Sequence, residues 1–210
     1  MKKIAITGGI AAGKSTVCDL FAQLYHVPIF DADKCVHGLY EHSDVAQAMQ
    51  LIVPNCLNEA GQIDRHKLSK AININPDLLE EIEDFIHPLV RQSEQRFMQY
   101  KHRFGCEMII SDIPLLFEKG MQDNYDAVII VHSPLWLRQK RAMKRTNMNA
   151  QKWRSIIANQ MTDAERLKMA NLETNFVINT NIGRAHMAEQ VKQCFRLLHP
   201  RISDAGIHKN

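Results

Sequence analysis

The sequence lacks a CxxC pair, a long apolar run and a strong charge of either sign, and each lack removes a class of function. Its five cysteines, Cys18, Cys35, Cys56, Cys106 and Cys194, are odd in number and far apart, which argues against a zinc site or redox pair. They read as small buried or half-buried side chains kept reduced in a cytosolic protein. No stretch approaches the ~20 apolar residues that cross a bilayer. Met1-Lys2-Lys3 leads into Ile4–Thr7 and then at once into glycines, so no apolar signal core forms and a cytoplasmic location is expected. A formal charge of +3 over 210 residues, with the basic residues spread out, points to neither a nucleic-acid nor a membrane-surface partner. A phosphorylated small molecule suits it better. Nothing in the sequence speaks to oligomeric state.

What is present is a 45% hydrophobic composition, enough for one sizeable core, arranged as short apolar runs alternating with helical spacing. Buried parallel strands are expected at Ile4–Thr7, Val27–Phe30, Met108–Ser111, Ala127–His132 and Phe176–Ile178. The fold class is therefore α/β, a five-stranded parallel sheet flanked by helices. The first helix is predicted from about Ser15 to Tyr25, with Val17, Leu20, Phe21 and Leu24 as its buried stripe. About 75 residues separate the second and third strands, far more than a crossover needs, so residues 33–103 are read as an inserted helical domain. Its landmarks are the turn Glu59-Ala60-Gly61-Gln62, the segment from Ile63 to Leu68, and a long helix from about Pro76 to His102. Residues 1–32, 104–134 and 172–199 form the core, residues 135–171 an Arg-rich lid, and 200–210 a tail expected to lack order.

The strongest motif is Gly8-Gly9-Ile10-Ala11-Ala12-Gly13-Lys14-Ser15, which fits G-x-x-x-x-G-K-[ST] and lies between a strand and an amphipathic helix. Small side chains let backbone N–H groups curl around phosphates, and the helix start adds partial positive charge. Lys14 is expected on the β- and γ-phosphates of ATP, the Ser15 hydroxyl on Mg²⁺, and Thr16 near the α-phosphate.

Other candidates leave two readings each. In Phe30-Asp31-Ala32-Asp33, at the end of the second strand, a carboxylate can take the proton of an acceptor hydroxyl, or both can cap the next helix. Asp112, after the third apolar run, is a weak Mg²⁺ ligand candidate or a turn former before Ile113-Pro114. Arg138, Arg141 and Arg145 fall near one helical face at i, i+3 and i+7, either to meet charge on a transferring group or as a solvated basic face. His87, before Pro88, has no metal triad and by itself reads as structural.

Taken together the chain resembles the dephospho-coenzyme A kinase family over roughly residues 3–191. The resemblance is carried by Thr7-Gly8-Gly9-Ile10, Asp31-Ala32-Asp33, Gly61-Gln62-Ile63-Asp64-Arg65 with Leu68, Ile86-His87-Pro88-Leu89-Val90, Pro114-Leu115-Leu116-Phe117-Glu118, and Arg141, Arg145 and Gln160. It implies transfer of the terminal phosphoryl group of ATP to the 3′-hydroxyl of dephospho-CoA. It further implies that Asp33 is the base or orienting carboxylate, that Arg141 stabilises the transferring group with Arg145 on ATP, and that Arg65, His87, Leu115 and Glu118 border the acceptor. The chain departs from the family pattern at Thr174-Asn175-Phe176-Val177-Ile178 and Thr180-Asn181-Ile182, expected near the adenine, so the purine is not named by the resemblance. It also lacks the usual Phe-Gly at Val53-Pro54-Asn55-Cys56. Rival expectations are a P-loop kinase for another small acceptor, such as a nucleoside monophosphate or shikimate, and a non-catalytic nucleotide switch.

Overall fold

The computed structural model describes residues 1–146, 148–171 and 174–199. The tail at 200–210 and Asn147 of the polar stretch 146–149 lie outside the described residues. The chain divides into two compact units, one of Met1–Ile29 with the chain from Gly105 on, the other of Phe30–Phe104.

The first unit carries β1 (Lys2–Thr7), α1 (Lys14–Tyr25), β2 (Ile29–Asp31, running into the second unit), β3 (Met108–Asp112), β4 (Ala127–His132), α6 (Leu135–Ala142), α7 (Ala150–Ala158), α8 (Asp163–Lys168), β5 (Asn175–Asn179) and α9 (Arg184–Leu198). The five-stranded parallel sheet has the order β2-β3-β1-β4-β5. Registers run Ile4↔Ile110 and Ile4↔Ala127 on the two sides of β1, and Val131↔Ile178 between β4 and β5.

Residue alternation divides the strands between two faces, as a two-residue period requires. Ile4, Ile6, Ile110, Ile129 and Val131 pack with Val17, Leu20 and Phe21 of α1 and with Val191, Cys194 and Phe195 of α9. Ala5, Val128 and Ile130 face the other way, onto Leu116 and Phe117. Both faces are thus covered, which is why these strands read as continuous apolar runs. Tyr25 of α1 stacks on Phe195 of α9 with ring centroids 4.0 Å apart. Two details differ from expectation. Leu24 is 49% exposed and Cys18 is buried instead; α1 ends at Tyr25, after which His26 takes a left-handed φ of 53°. The second strand begins at Ile29, two residues later than expected, although Val27 is buried.

The second unit is helical: α2 (Ala32–Leu39), α3 (Ser43–Ile52), α4 (Arg65–Ile74) and α5 (Leu78–Arg103). Its core joins Val45, Ala46 and Met49 of α3 to Leu68 of α4 and to Ile82 and Ile86 of α5. The segment without Phe-Gly still contributes, since Val53 and Cys56 are buried in this core. The expected turn forms as Asn58 Oδ1 accepts from the N–H groups of Ala60 and Gln62, both at 3.0 Å. Gly61 takes a left-handed φ of 74° there. No helix among the described residues is long and apolar enough to cross a membrane.

Candidate active site

The glycine loop turns off the C-terminal end of β1, the middle strand of the sheet. A Cβ on Gly8 would lie 2.4 Å from the Val131 carbonyl oxygen of β4, so a side chain cannot be accommodated at that exit. The Ala12 N–H donates to the Gly9 carbonyl at 3.0 Å, closing a turn. Ala11 at φ 57° and Gly13 at φ 103° are both left-handed. Mixing backbone hands in this way aims successive N–H groups into one concavity, the geometry that binds anions.

At the loop's end α1 begins without a side-chain cap and, like α4, α6, α7 and α9, with no acid in its first turn, whereas α2, α3, α5 and α8 carry one or two acids there. The N–H groups of Lys14, Ser15 and Thr16 precede the first intrahelical bonds, and the helix places roughly half a positive charge at that end. Lys14 Nζ donates to the Gly8 carbonyl at 3.4 Å, a weak contact that leaves the ammonium lying over the loop.

Three side chains from distant parts of the sequence brace the loop. Gln160 Oε1 accepts from the Ile10 N–H at 2.9 Å. Thr180, buried just past β5, donates its hydroxyl to the Ala12 carbonyl at 2.5 Å. Arg141 donates through Nη1 to Thr180 Oγ1 at 2.9 Å and through Nη2 to the Thr180 carbonyl at 2.7 Å, with a longer contact to the Ala12 carbonyl at 3.4 Å. The arginine series does not share a helical face as expected: α6 ends at Ala142, and Arg145 lies exposed in the bend beyond it. Nor is the series a solvated face, because Arg138 is only 4% exposed.

In the helical unit the two aspartates are placed differently. Asp31 caps α2, its Oδ1 accepting from the Lys34 N–H at 2.9 Å, and it also pairs with the Lys34 ammonium at 3.1 Å. Asp33 makes no such cap; it sits exposed in the first turn of α2 and lines a cavity of about 590 Å³. Arg65, at the first position of α4 behind the Asp64 cap, and His87, in the middle of α5, line the same cavity. So does Tyr40, whose hydroxyl is pushed to a higher pKa by burial and pulled back by the Arg65 charge.

The remaining predicted positions are in the first unit. Leu115 and Glu118 follow β3; Glu118 Oε1 accepts from the Met161 N–H at 2.8 Å and from Arg166 Nη2 at 3.1 Å. Ser15 is exposed at the start of α1, and Asp112 closes β3 in register with Ile6, just before the loop. Mg²⁺ typically takes one or two protein oxygens and completes its shell with phosphates and water, and this hydroxyl and carboxylate are hard donors of the right kind. Among the described residues no group of three or more His, Cys, Asp or Glu side chains could hold a metal unaided.

Sequence reasoning missed Thr180, Ser133, Asp163 and Arg166. Thr180 and Ser133 are polar residues that directly follow strands and are fully buried, a signal that appears only once the strands are placed.

Comparison with known proteins gives a consistent family. Residues 2–183 match the family model described as dephospho-CoA kinase. A dephospho-CoA kinase of Bartonella quintana is 37% identical over 191 residues, spanning 91% of this chain and 95% of that protein. One from Rhizobium etli is 33% identical over 203 residues, spanning 97% of each. Among solved structures, TT1252 from Thermus thermophilus superposes with a TM-score of 0.80 at 26% identity, covering 94% of this chain and 97% of that one. A dephospho-CoA kinase from Campylobacter jejuni shares the fold, with a TM-score of 0.68 at 24% identity over 95% of this chain and 98% of that one.

Proposed function

The chain belongs to the dephospho-CoA kinase family, an ATP-dependent phosphotransferase acting on the 3′-hydroxyl of dephospho-CoA in the last step of coenzyme A synthesis, and from that premise we propose how its residues divide the work. The loop Gly8–Gly13 and the first turn of α1 hold the polyphosphate of ATP through N–H groups. What carries this is the helix start itself, which has a lysine, a serine and a threonine, no acid and no cap. Lys14 moves from the Gly8 carbonyl to the β- and γ-phosphates, a far stronger partner for an ammonium. Arg141, anchored beside Ala12 by Thr180, adds fixed positive charge at the loop, and Arg145 in the exposed bend supplies a second, movable one. Ser15 and Asp112 are the residues that would hold Mg²⁺, which when bound neutralises charge on the β- and γ-oxygens.

The acceptor belongs to the helical unit. Asp33, Arg65 and His87, brought to one cavity from α2, α4 and α5, support that assignment. Asp33 takes the 3′-hydroxyl proton as that oxygen bonds to the γ-phosphorus and the bond from phosphorus to the β,γ-bridging oxygen breaks, leaving ADP. Its carboxylate is available because Asp31 does the capping. Arg65 suits the acceptor's phosphates. We assign Leu115 and Glu118 to the acceptor from the family resemblance. The five widely spaced cysteines, none of them in a disulfide among the described residues, fit a cytoplasmic location.

The test is product analysis. The chain is incubated with ATP, Mg²⁺ and dephospho-CoA, and separately with shikimate and nucleoside monophosphates, and products are weighed by mass spectrometry. A phosphate gained at the 3′-position of dephospho-CoA is expected. Phosphorylation of another acceptor with none on dephospho-CoA would end the assignment.

A further inference from the structure

Gly9 does not have a positive φ, so backbone conformation does not demand glycine there. Arg138 does. A Cβ on Gly9 would lie 2.1 Å from Arg138 Nη1 and 2.8 Å from Cζ, inside any tolerable contact. Nor can the guanidinium easily retreat. Its Nε donates to the Ser133 carbonyl at 3.1 Å, and its Nη2 meets both Asp163 oxygens at 2.7 Å. Asp163 is in turn held by Arg166 at 3.2 Å, and Arg166 by Glu118 at 3.1 Å. Arg138 is therefore the end of a chain of charges, its two arginines buried and its carboxylates partly buried, that starts in the turn after β3, passes through α8, and stops against the phosphate loop. Its Nη1 is buried with no hydrogen-bond partner. Leaving such a donor unpaired costs about 1–3 kcal/mol, so an arginine retained only for stability is a poor choice at this position.

We propose that Arg138 is a positioning residue for ATP: its pinned guanidinium sets the height of the Gly8–Gly9 corner, and residue 9 is glycine to let it do so. The same chain ties that corner to the segment at 160–166. Gln160 meets the next loop residue, Ile10, and Asp163 holds Arg138, so this segment grips the loop at two adjacent points. A shift of α8 would move both. This inference rests on the assignment of the loop to ATP made above.

The test is a double-mutant cycle on the full chain, with ATP binding by calorimetry, KM for dephospho-CoA, and thermal unfolding measured together. Gly9→Ala should weaken ATP binding at least about tenfold, near 1.4 kcal/mol, while KM for dephospho-CoA stays within about twofold. Arg138→Met alone should weaken ATP binding by a smaller factor. The pair Gly9→Ala with Arg138→Met should bind ATP more tightly than Gly9→Ala alone, because the obstruction is gone. Folding of the pair where Gly9→Ala alone fails to fold would support the same conclusion. Gly9→Ala binding ATP like the parent, losses that multiply in the pair, or failure of Arg138→Met or of the pair to fold would each overturn it. If the parent chain itself binds no ATP, the loop assignment falls too; if it binds and the losses multiply, only the role of Arg138 falls.

Discussion

The hydroxyl of Thr180 accepts from Arg141 at 2.9 Å and donates to the Ala12 carbonyl at 2.5 Å, so a single oxygen fastens an arginine and the glycine loop to the end of β5. Thr180→Val keeps the shape and removes both bonds. A buried hydrogen bond to a charged group contributes about 1.5–3 kcal/mol, so ATP affinity should fall roughly 10- to 100-fold if the loss is expressed in binding. Thr180→Ser should restore most of it. Calorimetric titration of the three proteins checks this, and a valine variant that binds like the parent would refute it.

Asp33→Asn should leave ATP affinity within about twofold and reduce turnover by about 10²- to 10⁴-fold, the usual contribution of a positioned general base. Asp31→Asn should leave both ATP affinity and turnover unchanged, since asparagine also caps helices well. Steady-state rates with dephospho-CoA separate the two. Equal losses at both positions would mean that the carboxylates act as a structural pair.

Arg166 is 3% exposed and its Nη2 neutralises Glu118. Arg166→Met keeps the apolar stem and abandons the carboxylate in a half-buried site, which should cost about 3–5 kcal/mol. Adding Glu118→Gln should recover part of that loss. Urea unfolding of both variants measures it, and a loss under about 1 kcal/mol for Arg166→Met would show that water already solvates the pair.

Ala11 holds φ at 57°, a left-handed conformation that costs an alanine about 1–2 kcal/mol. Ala11→Gly removes that cost but adds up to about 1 kcal/mol of unfolded-chain entropy. A net gain of several tenths of a kcal/mol and a slightly raised Tm are expected. A drop in Tm would mean that the alanine methyl, buried near Trp153 and Ala142, contributes more than the strain takes away.

Cys194 lies in the core between α9 and the sheet, and burial pushes its thiol up to about 12. A thiol with a raised pKa in the folded state favours folding fully below the unfolded value near 9, and that advantage is lost as pH rises toward 12. About 2 kcal/mol should go between pH 9 and pH 10.5 from this group, with smaller losses in the same direction from Tyr40 and Cys56. Cys194→Ala should flatten the fall in Tm over that range. An unchanged slope would assign the alkaline loss elsewhere.

The sheet and the loop were legible because both are local. A buried parallel strand announces itself as an apolar run, and the phosphate loop needs its residue types at adjacent positions. Spacing alone did not separate Asp31 from Asp33, since either side chain can reach a free N–H at the start of α2; the family resemblance pointed to Asp33, and the built helix uses Asp31 as its cap. The common arginine face failed for a related reason: i, i+3, i+7 spacing assumes a helix through Arg145, and the chain leaves the helix after Ala142. Thr180, Ser133 and Asp163 act on residues far away in sequence, so no local window contains the partner that gives them meaning. At the place where the chain departs from the family pattern, its own Thr180 hydroxyl braces the loop.

β1 runs between β3 and β4, and Ile4, Ala5 and Ile6 have no exposed surface. Its amides should therefore be among the last to trade hydrogen for deuterium, opening only when the whole unit unravels. The cradle we propose for the phosphates is attached to that strand as to a fixed anvil: thermal breathing elsewhere can open the peripheral segments without moving it. Selection for faster turnover would accordingly leave its mark on the peripheral segments and spare the strand that carries the cradle.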